Sequence, residues 1–214
     1  MDYETLPADL STIYKNINTE VKWIHVKWNV YKQLFDSSQE KIDLINRSAP
    51  QFFGIIQQIF FVDVVLGLSR LTDPAESSGH KNLSLQLVID EFDNSGLLEL
   101  SSKLDSDYEK IEQECEPIRK WRNKKISHSD FQTTLNVSDN PLPNISKVDI
   151  ENVLDKIRDF MDHINSAFFE SKIYYEHAMT STGGNVLLGK LKEAENYKNL
   201  YLEAVESQIK KPGH

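Results

Sequence analysis

The stretch "PQFFGIIQQIFFVDVVLGLSRLTDP", residues 50 to 74, limits the possible folds most. It is apolar on nearly every face of a 3.6-residue helix and is bounded by prolines, the pattern of a helix surrounded by other elements. Gln57, Gln58, Asp63 and Arg70 interrupt the run, and no other segment resembles it, so a core helix is the reading and a membrane span is set aside. Such a helix needs amphipathic partners.

They are present. Ile13, Ile17, Val21, Ile24, Trp28, Tyr31 and Phe35 recur at helical spacing and predict one long helix over residues 9–35. "DSSQEKIDLINRSA" predicts a shorter one, capped by Asp36 or the serines after it. "LSLQLVIDEF" predicts another, with Leu83 or Ser84 near its start and a turn at "DNSG". Residues 97–127 read as one helix or two in succession, because Pro117 can kink a helix or open one. Ile150, Val153, Ile157, Phe160, Ile164 and Phe168 mark a helix behind Ser146 or Asp149. Leu187, Leu191, Ala194, Tyr197 and Tyr201 mark a last one. "AESSGHKN" and residues 129–144 are loops, the latter with a short extended piece at "FQTTLNV". With no confident strand, the fold class is all-α: a bundle of about six or seven helices. Residues 1–178 form the helical domain, and 179–214 a C-terminal helical extension packed on it.

A bundle does not define an activity. The net charge of −9 opposes a whole-surface grip on nucleic acid, yet the seven residues Arg119 to Lys125 gather five cations. On a helical wheel Leu104, Tyr108, Ile111, Cys115 and Ile118 form one buried stripe, and Arg122 falls in its middle. A guanidinium there either pairs in the core, with Asp63 the candidate carboxylate, or waits at a cleft for an anion. Six positions on, His128 stands about 120° round and roughly 9 Å along a straight helix, so the two are not natural neighbours. Both reach one phosphate if the helix ends between them, or if two copies each supply part of the site as a symmetric dimer.

Arginine with histidine suffices to cut RNA without a metal. The imidazole exchanges protons near neutrality, and the guanidinium steadies charge on the phosphorus oxygens. Asn123 and Ser127 are placed to hydrogen-bond the phosphate or orient the histidine, and Arg119, Lys120, Lys124 and Lys125 to hold flanking phosphates. The bland readings are a structural ion pair for Arg122, a helix-dipole partner for His128 and a solvated face for the lysines. Asp63 and Arg70, seven apart, share a face of the core helix and suggest a structural pair, and "RLTDP" reads as a helix stop. His25, His80, His163, His177 and His214 show no zinc spacing, so neither metal nor other cofactor is expected. A single cysteine, Cys115, and a start without signal-peptide character suggest the cytoplasm.

"RNKKISH" has the Arg-Asn-x4-His form of the signature of the HEPN superfamily. "YKQLF", "RSAPQFF", "LSRLTDP", "NLSL" and "RKWRNKKISHSD" together resemble its abortive-infection AbiU-like branch over most of residues 20–170. Serine precedes the histidine where alanine is more usual. The resemblance implies a HEPN-like bundle and a metal-independent endoribonuclease of toxin or antiphage type. Arg122 and His128 would be its catalytic pair and Asn123 their helper, acting across a homodimer interface. RNA would be the substrate, an antitoxin or regulatory protein a further partner, and no membrane would be involved. The alternative is a non-catalytic HEPN module that binds RNA, nucleotide or a protein partner.

Overall fold

The structure, a computed structural model, describes residues 6–124, 144–169, 172–178 and 182–209. Seven α-helices carry the described residues: α1 Ala8–Phe35, α2 Gln39–Ser48, α3 Pro50–Leu71, α4 Leu85–Asn94, α5 Leu98–Arg122, α6 Lys147–Phe168 and α7 Gly184–Ile209. The fold is all-α. Its only described strands are the two-residue pair β1 (Glu76–Ser77) and β2 (His80–Lys81). The chain divides into two compact units, Met1–His25 with Val62–Ala178, and Val26–Phe61 with Met179–His214, so α1 and α3 each give one part to each unit.

In the first unit the core lies among the first part of α1, the second part of α3, α4, α5 and α6. Leu10, Tyr14, Ile17, Val21 and Ile24 of α1 are buried, as are Val64, Val65, Leu68 and Leu71 of α3. A Cβ on Gly67 would stand 2.9 Å from Ile24 Cδ1, so a larger residue at that crossing would force the Ile24 side chain to shift. Ser84 caps α4 through its side chain, which accepts from the Leu87 N–H. Gly96, at φ 76°, closes α4 in a Schellman motif, with Leu97 N–H donating to Phe92 O and Gly96 N–H to Asp93 O. Ser146 and Asp149 jointly form a capping box at the start of α6, each accepting from the other's backbone N–H. Ser78 and Gly79, both at positive φ, make the tight turn between the strands.

α5 is a single helix across Pro117. The proline removes one N–H, that which would meet the Gln113 carbonyl, and the helix continues because its apolar stripe stays packed. Leu104, Tyr108, Ile111, Cys115 and Ile118 are all buried, as their spacing predicts.

The second unit has a smaller core of Leu34, Leu44, Ile45, Phe53 and Leu188, with Val30, Phe35, Ala49 and Leu191 packed around it. Arg47 makes a two-point ion pair with Glu195, at 2.8 and 3.1 Å, and Lys192 meets Glu40 at 2.7 Å, tying α2 to α7. Two sequence expectations change here. α3 is enclosed only over its second part. Its first part shows Phe52, Ile55 and Ile59 to solvent, Phe52 at 56% exposure. α3 is also the one described helix long and apolar enough to cross a membrane. In α7 only Gly184 and Leu188 are buried; Leu187, Ala194, Tyr197 and Tyr201 of the expected stripe are exposed. Periodicity says which residues share a face, not whether anything covers it.

Candidate functional site

The site is built where α3 stops against the end of α5, within the first unit. α3 ends at Leu71 because the residue before Pro74 is pushed away from helical backbone angles. Its last carbonyls therefore lack helical partners. Tyr108 and Arg119 of α5 supply donors: the tyrosine hydroxyl donates to Thr72 O at 3.1 Å, and Arg119 Nη1 donates to the same oxygen. A guanidinium on the C-terminal carbonyls also meets the negative end of the helix dipole. Burial, followed by the nearby Glu112 carboxylate, pushes the Tyr108 hydroxyl up to about 12, so it is a neutral donor through the physiological range.

Beneath this contact lies Cys115. The Thr72 hydroxyl is 3.5 Å from its Sγ, and burial pushes the thiol up to about 11. A protonated, enclosed thiol is a packing group and not a nucleophile.

Arg122 is one helical turn beyond Arg119. Its side chain is 18% exposed, and its partner is Asp73, not Asp63: Nη1 donates to Asp73 Oδ1 at 3.1 Å and Oδ2 at 3.4 Å. Arg119 Nη2 approaches the same carboxylate at 3.7 Å. Two cations on one anion leave this corner with an excess of positive charge. Arg122 Nε donates to Asn123 Oδ1 at 3.0 Å, and its Nη2 makes no hydrogen bond among the described residues. Asp73 also lines a cleft of about 470 Å³ with Glu20, Arg70, Asn82 and Leu83. There Arg70 pairs with Glu20 at 2.6 Å, and Asn82 Nδ2 closes the loop onto Pro74 O at 2.8 Å.

The structure thus brings Arg119, Arg122 and Asn123 together. Lys120 is apart from them, in an exposed pair with Glu116 at 2.7 Å. Lys124 follows Asn123 in a wider, π-type turn that continues α5. Lys125, Ser127 and His128 lie outside the described residues. Among the described residues no cluster of three or more His, Cys, Asp or Glu side chains could hold a metal ion.

Sequence reasoning missed Asp73. "RLTDP" was legible as a helix stop, and the overlooked signal is the acid itself: a carboxylate just past a helix C-terminus faces the dipole's negative end and calls for a cation nearby.

The family model HEPN_AbiU2, described as AbiU2, matches residues 7–185. The chain belongs to the AbiU2 family of HEPN domains. The match takes in α1 to α6 and the start of α7, so the arginine corner and the segment bearing His128 both fall inside the AbiU2 region. AbiU2 membership sets the protein in an abortive-infection context. Comparison with curated proteins and with solved structures gives no match.

Proposed function

We propose that this AbiU2 protein is a metal-independent endoribonuclease of the prokaryotic toxin or antiphage type, working in the cytoplasm as a homodimer. The observation that carries the reading is the held guanidinium of Arg122, one Nη without a partner among the described residues, six residues before His128 in an AbiU2 chain. In the reaction the RNA 2′-oxygen attacks the adjacent phosphorus, forming an O2′–P bond and breaking the P–O5′ bond. Imidazole, from His128, takes the 2′-hydroxyl proton and a protonated imidazole gives one to the departing 5′-oxygen. Arg122 neutralises charge growing on the non-bridging oxygens, and Asn123 orients it. The products are a 2′,3′-cyclic phosphate and a 5′-hydroxyl. Lys120, Lys124, Lys125 and Ser127 contact flanking phosphates, and Arg119 adds to the field from behind Asp73.

A second reading draws on the same ion pair. Arg122 already ion-paired with Asp73 suits a HEPN module that binds RNA, nucleotide or a protein partner without cutting.

One experiment separates the two. Purified wild type, Arg122→Ala and His128→Ala are incubated with mixed RNA in EDTA, and the product ends are analysed. Cyclic phosphate ends from wild type alone, with all three proteins folded, support the nuclease. RNA binding without cleavage in every condition, phage-derived triggers included, transfers the case to the binding module.

A further inference from the structure

Asp73 stands where electrostatics disfavours it, past the negative end of α3, and both arginines of α5 converge on it. Its contact to Arg122 is only half of a larger restraint. Asp73 takes Nη1 and Asn123 takes Nε, two points on the rim of a planar group, which together with its covalent attachment at Cδ fix the plane. The third nitrogen, Nη2, has no hydrogen-bond partner among the described residues. Arg119 completes the arrangement from the other side. By anchoring on Thr72 O and approaching the Asp73 carboxylate, it holds that carboxylate as well as neutralising it.

We propose that Asp73 is a positioning residue for phosphate recognition: with Asn123 it locks the plane of the Arg122 guanidinium so that Nη2 is presented to a phosphoryl oxygen. The inference rests on the nuclease reading for its consequence in catalysis, and on the ion pair for its mechanism. An arginine on a flexible stem loses rotamer freedom when it grips an anion, and one already held in place loses less. Preorganised charge of this kind acts in the transition state more than on bound substrate, so its loss lowers kcat and leaves KM nearly unchanged.

The test uses the full chain with Asp73→Asn, Asp73→Ala and Asp73→Glu. Three quantities are read: kcat and KM on a single-stranded RNA, the melting temperature, and the rate at which phenylglyoxal modifies Arg122, mapped by mass spectrometry against Arg47 as internal reference. Misplacement of a reacting group by about 1 Å costs on the order of 100-fold, so Asp73→Ala is expected to lower kcat by that factor and Asp73→Asn by about 10-fold. Asp73→Glu restores part of the rate. Arg122 becomes several-fold more reactive towards phenylglyoxal in Asp73→Asn and Asp73→Ala, while Arg47 does not change. Should Asp73→Ala prove unfolded, Asp73→Asn, which keeps the shape and one acceptor oxygen, decides the question.

Unchanged kcat together with unchanged Arg122 reactivity in a folded variant overturns the proposal and leaves the nuclease reading intact. A fall in KM with kcat unchanged or raised also overturns it, since Asp73 would then be an occupant that phosphate must displace. A wild type that cuts no RNA removes the nuclease reading instead, and the phenylglyoxal rates still decide whether Asp73 holds Arg122.

Discussion

Asp73 and Arg122 lie 49 residues apart in the chain, and their side chains meet at 3.1 Å, joining the stop of α3 to the end of α5. The pair is mostly buried on both sides, so removing either member leaves a charge that water only partly rescues. The two removals are not equivalent. Arg122→Ala leaves Asp73 with Arg119 still near it, whereas Asp73→Ala leaves two guanidiniums facing each other with no anion between them.

Arg122→Ala is therefore expected to lower unfolding free energy by about 1–2 kcal/mol, and Asp73→Ala by more, on the scale of a hydrogen bond to a charged group. Urea unfolding at neutral pH measures both. Equal losses, or a larger one for Arg122→Ala, would show that Arg119 does not share the carboxylate.

The α5 stripe was readable from sequence because a helix surrounded on one side repeats its apolar residues every three or four positions. That same arithmetic put Arg122 among them. Ser146 and Asp149 were readable as a cap because a capping box is local chemistry. Asp73 was not, since its partner comes from another helix and nothing local names it. The first part of α3 and the outer part of α7 failed for a different reason: Phe52, Ile55, Tyr197 and Tyr201 are apolar or aromatic and periodic, yet solvent-facing. Burial is a property of what packs against a face.

Asp107 supplies an acid-side prediction. Burial pushes its carboxyl up, but hydrogen bonds from Lys110 and His163, the latter at 2.6 Å, outweigh this and hold it below its ordinary 3.8. A carboxylate with a lowered folded value adds stability above its unfolded value and loses it as pH falls through the folded one. The contribution is thus complete at neutral pH and disappears as the solution is acidified below about 4. Asp107→Asn is expected to be less stable than wild type at pH 7, by about 1 kcal/mol, and to converge on it at the acid end. Parallel urea midpoints across the acid range would contradict this assignment.

Cys115 supplies the alkaline counterpart. Burial raises its thiol from 9.0 to about 11, so the unfolded chain gives up that proton first. The stabilising difference is present in full below pH 9, and it is lost as pH rises towards 11, the folded state binding more protons in between. Tyr108 acts in the same direction, from 10.0 to about 12. The cysteine alone accounts for a fall of about 3 kcal/mol across its window, and Cys115→Ala should make the pH 9–11 limb shallower, leaving the Tyr108 share above pH 10, while lowering stability at neutral pH through the small cavity it leaves. The same burial predicts that the native thiol resists a water-soluble disulfide reagent at pH 8 and reacts within seconds once denaturant is added. Prompt reaction in the native protein would mean that the contact between Thr72 and α5 opens readily, which would loosen the end of α3 that anchors Arg119 and carries Asp73.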